Sequence, residues 1–283
     1  MHDSFCGWYF KCQSDRKTLA VIPAVHSCGG EKSCSIQLIT DDVSRNIPFS
    51  HHRFQKQRRG FHITVGDNAF GEEGIRLNLR TPDFSAVGSV RFGSFSPIRY
   101  DIMGPFCLIP FMECRHSVIS MRHTVTGRFT VNGTDYAFSD AVGYIEGDRG
   151  RSFPKRYAWT QCCHDGISLM LSVADIPLGG ICFTGVIGVI QYGGREYRLA
   201  TYLGARAVEI QNGGVVIRQG KDTLTVRLLK KRTAPLAAPV CGAMRRTIHE
   251  SASCRAFYRL ERNGKVLFSF ETEKASFEYE YPF

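Results

Sequence analysis

The chain has 283 residues, of which 43% are hydrophobic and 12% aromatic, and it carries a formal net charge of +10. This composition is typical of a globular protein with one large domain or two small ones. The longest apolar run, residues 181–190, is too short to span a bilayer, and the basic residues form no run that is typical of a nucleic-acid-binding tail.

The cysteines and the N-terminus predict a reducing compartment. There are 11 cysteines, an odd number, with no Cys-x-x-Cys spacing and with Cys162 next to Cys163. Such a set argues against a disulfide framework, so we expect free thiols, several of them buried. The first residues lack the pattern of a signal peptide. We therefore expect a cytoplasmic protein, and its basic charge adds an expectation of peripheral contact with anionic membranes but not with nucleic acid.

Taken in order, the chain predicts short strands and almost no helix. Alternating or β-branched segments recur every 8–12 residues, and glycine-rich turns such as Asn132-Gly133 and Asn212-Gly213 separate them. A segment at 97–110, interrupted by three prolines, predicts a buried crossing segment, and Pro235 and Pro239 predict a loop. The predicted strands lie at 18–25, 34–40, 61–65, 74–79, 118–125, 127–131, 134–138, 156–162, 168–174, 180–191, 196–202, 205–210, 223–228, 254–260 and 266–270.

Roughly fifteen such strands predict an all-β protein with antiparallel barrels or sandwiches. Because a barrel of eight to ten strands needs on the order of 120–150 residues, the length predicts two of them. We place the N-terminal domain at residues 1–140 and the C-terminal domain at residues 141–283.

Residues 143–154, Gly-Tyr-Ile-Glu-Gly-Asp-Arg-Gly-Arg-Ser-Phe-Pro, combine two acids, two arginines, three glycines and a proline. This mixture predicts irregular backbone at the junction of the two domains, because glycine permits angles closed to other residues and proline ends a strand ladder. Alternating acids and bases on such a segment indicate a chemical site. A solvated hairpin connection is the alternative interpretation.

Motifs for phosphate binding, dinucleotide binding and the serine nucleophile elbow are absent from the sequence. His51 with His52, His116 with His123, and the run from Cys162 to Asp165 are weak hints of a metal site. His116 and His123 are seven residues apart on a predicted strand and so point to opposite faces. The sequence therefore predicts no metal.

Several motifs together resemble the tocopherol cyclase family, most strongly between residues 97 and 210. They are Gly-Trp-Tyr-Phe-Lys at 7–11, Gly-Pro-Phe at 104–106, Pro-Phe-Met-Glu-Cys-Arg-His at 110–116, the segment 143–154, Trp-x-Gln at 159–161, Ser-Leu-Met-Leu-Ser at 168–172, Ala-Asp-Ile-Pro at 174–177 and Tyr-Arg-Leu-Ala-Thr-Tyr at 197–202. The resemblance implies two lipocalin-like barrels, as in carotenoid hydratases and fungal Diels–Alderase-type cyclases. Arg149 stands where the family usually has tryptophan.

The resemblance also implies a reaction that needs no cofactor, in which protonation of a prenyl double bond is followed by ring closure through a phenolic oxygen. Such chemistry needs a carboxylic acid and aromatic faces for the cation. We expect Asp148 to donate the proton, with Glu146 and Glu113 as alternatives, and His116 or Tyr144 to take the phenolic proton. The residues expected to bind the isoprenoid or quinol-like substrate are Trp8, Tyr9, Met112, Arg115, Arg151, Phe153, Trp159 and Gln161.

Each of these residues also has a purely structural interpretation. Glu146 with Arg151 could form a salt bridge, Glu113 with Arg115 a buried pair, and Trp8 and Trp159 could be core residues. At the level of function, the alternative to a cyclase is a non-catalytic lipocalin-like carrier of an apolar isoprenoid or lipid. The charged Arg149 in place of an aromatic residue favours that alternative.

Overall fold

A computed structural model of the protein describes residues 3–109, 112–178, 180–230 and 234–282. Almost all of this is β-strand, which confirms the predicted all-β antiparallel fold. The strands are β1 (Ser4–Gln13), β2 (Thr18–Cys28), β3 (Glu31–Thr40), β4 (Ser44–Ser50), β5 (Phe54–Lys56), β6 (His62–Val65), β7 (Asn68–Gly71), β8 (Gly74–Thr81), β9 (Phe84–Phe92), β10 (Cys114–Val131), β11 (Thr134–Gly150), β12 (Tyr157–His164), β13 (Ile167–Leu178), β14 (Ile181–Tyr192), β15 (Arg195–Ala200), β16 (Arg206–Gln211), β17 (Gly214–Gln219), β18 (Asp222–Lys230), β19 (Ala234–Val240), β20 (Ala243–Arg262) and β21 (Lys265–Tyr279). Short 3-10 helices lie at His51–Arg53, Gly104–Leu108 and Thr201–Leu203.

The first sheet has 11 strands in the order β4-β3-β2-β1-β11-β10-β9-β8-β7-β6-β5. Its two edge strands, β4 and β5, follow each other in the chain and are joined by the 3-10 turn His51–Arg53. Residues of β3 approach β6, so the sheet curls around its core like a barrel. The core is an apolar cluster that includes Phe10, Ile36, Phe70, Phe129 and Ile145.

Side-chain alternation gives the first sheet two different faces. On β1 the even-numbered Trp8, Phe10 and Cys12 belong to the apolar cluster, so Tyr9 and Lys11 lie on the opposite face. We call this opposite face of β11, β1, β2 and β3 the polar face. It carries buried polar side chains, which are Lys11, His26, Ser35, Gln37 and Glu146.

The second sheet has the path β15-β14-β13-β12-β21-β20-β18-β17-β16, with β19 paired to β20. The two sheets share one feature of strand order. In the second sheet β12, the first strand in the chain, lies between β13 and β21, just as β1 lies between β2 and β11 in the first sheet. The edge strands of the second sheet, β15 and β16, are again consecutive and joined by a 3-10 turn, Thr201–Leu203. A separate apolar cluster that includes Leu169, Val226, Tyr258 and Phe277 forms its core.

By contacts, the chain divides into two compact units. The first contains the residues up to Pro97, His116–Ser152 and Leu236–Arg246, and the second contains Ile98–Arg115, Phe153–Pro235 and the residues from Thr247 onward. Strand β11 runs across the boundary that we place between residues 140 and 141, and the chain changes unit after Ser152.

The expectation of irregular backbone at 143–154 is wrong for its first eight residues. Residues 143–150 are the second half of β11, a central strand paired with β1 from Phe5↔Gly150 to Gln13↔Val142. The acids Glu146 and Asp148 are tolerated there because the strand presents them to the polar face, where they find a partner. The glycines at 143 and 147 do not have positive φ angles, so backbone freedom is not their role.

The loop predicted around Pro235 and Pro239 is instead strand β19. It forms a hairpin with β20 through Cys241 and Gly242, both with positive φ, as a type I′ turn requires. We call Leu236–Arg246, the part of this hairpin that belongs to the first unit, the strap. Pro110 and Phe111, which belong to one of the family motifs, lie outside the described residues.

All 11 cysteines are free thiols, and Cys12, Cys34, Cys162 and Cys254 are buried, as expected. Among the helical segments that the structure describes, none has the length and apolar character needed to cross a membrane.

Candidate active site

The site is built on β11 and its two neighbours. Tyr144, Glu146 and Asp148 alternate along β11 and lie on its polar face. Strand β10 pairs with β11 and brings in His116, which lies 32 positions before Asp148. The structure thus brings together four of the five residues that the sequence predicts to be catalytic.

Hydrogen bonds and ion pairs link these four side chains in a row, which we call the buried chain. The Tyr144 hydroxyl donates to Oε2 of Glu146 at 2.5 Å. That same oxygen lies 3.2 Å from Nε2 of His116, and Nδ1 of His116 lies 2.9 Å from Oδ1 of Asp148. The imidazole is therefore held between two carboxylates, one at each ring nitrogen.

Accessibility differs along this chain. The Glu146 side chain is 6% exposed and the His116 side chain 9%, whereas the Asp148 side chain is 24% exposed. Asp148 is consequently the member of the chain that is most open to a molecule arriving from outside.

His116 is a cation in this setting. Burial disfavours the charged imidazolium, but the carboxylates of Glu146 and Asp148 outweigh burial and raise the pKa of His116 well above its ordinary value. A second buried basic side chain, Lys11, is 2% exposed and directly faces Tyr144 across the β1–β11 pair.

The glycines of β11 make room for neighbouring rings. A Cβ at position 143 would collide with the imidazole of His123. A Cβ at position 147 would lie 3.0 Å from Cδ1 of Trp8 and 3.2 Å from Oγ of Ser117. Ser117 also donates to the carbonyl of Gly147 at 2.9 Å, which fixes β10 against β11 beside His116.

The other predicted residues of the first unit take different positions. Tyr9 is buried and faces Glu146 in the strand register, so it lies beside the site. Trp8 belongs to the apolar core and stacks on Phe54 with ring centroids 6.3 Å apart. It therefore lies on the other face of the sheet from Glu146. Arg149 and Arg151 are exposed. The residue that departs from the family pattern therefore does not share the polar face with Asp148.

The remaining predicted residues belong to the second unit. Glu113, Arg115 and Met112 are half-buried, and Arg115 donates to the carbonyl of Ile109 at 3.2 Å. Trp159 and Gln161 are buried on β12. They alternate with Ala158 and Cys162 of the apolar core, so they lie on the face of the second sheet that points away from that core.

The second unit holds a buried phenol–carboxylate pair that sequence analysis missed. Tyr157 donates a short hydrogen bond to Glu278, and Phe153 packs edge-on against Tyr157. Glu278 on β21 pairs with Trp159 on β12, which are the last and the first strands of the second sheet in chain order. In the first sheet, Glu146 on β11 pairs in the same way with Tyr9 on β1. In the sequence, the only signal of this pair is the alternation of aromatic residues at 277, 279 and 281 with acidic residues at 278 and 280.

Lys11 and His26 were also missed. A lysine inside an otherwise apolar strand and a histidine after β-branched residues are visible in the sequence. Their burial depends on which face of the strand is covered, and the sequence does not contain that information.

Among the described residues, one group could hold a metal ion. The ligand atoms of His116, Glu146 and Asp148 lie within 4.8 Å of one another. Metal binding would require His116 to lose its proton, since imidazole binds metals in its neutral form. The absence of a metal therefore stays a prediction.

No model of a known protein family matches the sequence, and no curated protein matches it. Solved structures do match the fold over nearly the whole chain. A structure described as AttH from Nitrosomonas europaea is 10% identical, has a TM-score of 0.53, and is matched over 100% of this chain and 93% of that one.

Kievitone hydratase from Nectria haematococca is 10% identical with a TM-score of 0.56, matched over 98% of this chain and 89% of that chain. CghA, in its structure with Sch210972, is 9% identical with a TM-score of 0.62, matched over 98% and 88%. At such low identity these likenesses establish the fold and no more. Membership of the tocopherol cyclase family, and of the wider superfamily that the resemblance implies, stays a hypothesis.

Proposed function

We propose that the protein is an enzyme that protonates an alkene in an apolar isoprenoid and closes a ring through a phenolic oxygen of the same molecule. This is the tocopherol cyclase-like reaction on a prenylated phenol or quinol. The observation that carries the proposal is the buried chain Tyr144–Glu146–His116–Asp148, because it can supply a proton at one end and receive one at the other.

In this reaction Asp148 is the donor, because it is the most exposed member of the chain. The imidazolium of His116 passes its Nδ1 proton to the Asp148 carboxylate, and Asp148 delivers this proton to the alkene carbon. This leaves a tertiary carbocation, a neutral His116 and an ionised Asp148. The adjacent carboxylates then stabilise the positive charge on the substrate, because the neutralised imidazole no longer offsets them.

Ring closure restores the starting state. The phenolic oxygen attacks the carbocation, a carbon–oxygen bond forms, and the oxygen releases its proton toward Tyr144 and Glu146. Glu146 returns the proton to His116, with which its carboxylate is already in contact. The substrate is isomerised, the protein is unchanged, and no oxidant, reductant or cofactor takes part.

Hydration of the same cation is a second candidate, because solvent reaches Asp148, whose side chain is 24% exposed. Water would then attack in place of the phenol. Kievitone hydratase, one of the similar structures, makes this reaction a natural comparison, although the likeness extends only to the fold.

The test is incubation of the purified protein with a panel of prenylated quinols, followed by mass spectrometry. A cyclase gives a chromanol of the same mass as the substrate, and a hydratase gives a product that is one water heavier. Asp148→Asn should abolish either product, and Arg149→Gln, an exposed residue off the polar face, is the matched control. Recovery of unaltered ligand from the wild-type protein would instead identify a carrier and overturn the proposal.

A further inference from the structure

A second polar pair lies on the polar face, away from the chain around His116. Nε2 of His26 on β2 lies 3.1 Å from Oγ of Ser35 on β3. The two residues are only 5% and 4% exposed. The other ring nitrogen of His26, Nδ1, is buried and has no hydrogen-bond partner among the described residues.

A buried ring nitrogen without a hydrogen-bond partner destabilises the folded protein, because it has lost its contact with water and gained nothing in return. Burial also lowers the pKa of His26 to about 4, so the ring is neutral at neutral pH. A neutral imidazole can donate or accept through its free nitrogen, according to its tautomer. The fitting partner is a neutral polar group such as a hydroxyl or a carbonyl.

His26 is on the same face as Asp148 and within reach of one small molecule. Asp148 faces Gly7 on β1, and Gly7 faces Ala24 on β2, two residues before His26. With strands about 4.8 Å apart and residues about 3.3 Å apart along a strand, His26 lies roughly 12 Å from Asp148. The residues between them, Gly7 and Ala24, have the smallest side chains, so no large side chain at these two positions separates His26 from Asp148.

The strap runs over this part of the sheet. The Gln37 side chain on β3 donates to the carbonyl of Ala237 at 3.0 Å and accepts from its amide at 2.9 Å. At the strap's turn, the amide of Gly242 donates to the carbonyl of Arg151 at 2.8 Å, and a Cβ on Gly242 would collide with the carbonyl of Ser27. Ser35 and His26 lie between Gln37 and Ser27 in the strand register, so the strap contacts the sheet on both sides of this pair.

We propose that His26, through Nδ1, is a specificity-determining residue that binds a neutral hydroxyl or carbonyl group of the substrate about 12 Å from the reacting atoms. The inference rests on the proposed function, since it describes the substrate of the same polar face. It adds that the substrate is not a plain hydrocarbon-tailed molecule but carries a polar group toward its far end.

The test uses two matched probes, a prenylated quinol with a hydrocarbon tail and the same compound with a tail hydroxyl about 12 Å from the double bond. We expect the wild-type protein to bind the hydroxylated probe about tenfold more tightly, which is the effect of one hydrogen bond. His26→Phe should remove this preference and leave the affinity for the plain probe unchanged.

The control variant is His123→Phe. His123 is also buried, also pairs with a serine, Ser120, and also has an unpaired ring nitrogen, but its ring packs against Phe92 and Phe95 on the core side. It should keep the preference. Should His26→Phe not fold, titration of the wild-type protein labelled with ¹⁵N-histidine replaces it: the hydroxylated probe should shift the Nδ1 resonance of His26 and the plain probe should not.

Equal affinity of the wild-type protein for the two probes, or a preference that survives His26→Phe, would overturn the inference. Conversion of both probes without preference would leave the proposed reaction standing and remove the role of His26. Preferential binding without conversion would support the role of His26 and count against the proposed reaction.

Discussion

Nδ1 of His116 lies 2.9 Å from Oδ1 of Asp148, and the other ring nitrogen of His116 lies 3.2 Å from Glu146. One imidazole thus joins two carboxylates that point from the same face of the same strand. The ring fixes the orientation of both acids, and the two carboxylates in turn raise the pKa of the His116 imidazole, so that the ring carries a proton between them.

The first prediction concerns catalysis by the buried chain. His116→Gln and Asp148→Asn should each lower kcat by about 10²–10⁴-fold, because each interrupts the transfer of the proton. Tyr144→Phe should lower kcat less, since it removes only the terminal hydroxyl. Initial rates of chromanol formation measure this, and an unchanged kcat for Asp148→Asn would rule out its role as donor.

The second prediction concerns stability at alkaline pH. Because the folded-state pKa of His116 is raised above its unfolded value, its contribution to stability is fully present below about pH 6.5. It is lost as the pH rises through the raised folded-state value. Urea unfolding from pH 6 upward should therefore show a fall in the free energy of unfolding that is absent in His116→Gln.

The third prediction concerns acid. Burial lowers the pKa values of His26 and His123 to about 4, whereas in the unfolded chain both protonate near 6.5. The unfolded state therefore binds more protons, and stability falls as the pH drops from about 6.5 to about 4, by up to about 3 kcal/mol for each histidine. His123→Phe should make the acid limb of a stability–pH curve shallower. A curve identical to that of the wild-type protein would contradict the assignment.

The fourth prediction tests the close approach at Gly143. Gly143→Ala should destabilise the protein by about 1–3 kcal/mol, because its Cβ collides with the ring of His123. Adding His123→Ala removes the ring, so the double variant should recover part of this loss. Thermal unfolding of the two single variants and the double variant forms a double-mutant cycle, and purely additive effects would show that the two positions are not coupled.

The fifth prediction concerns metals. If the ion pairs of His116 are the functional state, activity should persist after treatment with a chelator. Added Zn²⁺ should then inhibit, and more strongly at higher pH, because binding at His116, Glu146 and Asp148 must displace the imidazolium proton. Calorimetry in buffers with different ionisation enthalpies would reveal the released proton. Loss of activity on chelation would indicate a metal enzyme instead.

Much of the fold could be read from local patterns. Turn pairs such as Asn132-Gly133 and Asn263-Gly264 adopt the positive φ angles that two-residue hairpins need, and the strands on each side alternate as predicted. These properties depend on neighbouring residues, and so a single sequence contains them.

The segment 143–154 shows where local reasoning ends. Its glycines and charges predict an irregular junction, yet eight of its residues form a central strand. Gly143 and Gly147 are explained by rings from β10 and β1, and the acids are explained by His116, which is 30 or more positions away.

The sequence by itself therefore determined the all-β class, the free cysteines and the identity of the acidic residues, because composition and period-two patterning are local. Tertiary structure alone decided which face of each strand is covered, that Lys11 and His26 are buried, and that His116 lies between Glu146 and Asp148. Strand order and register set those contacts, and they arise from pairing between residues far apart in the chain.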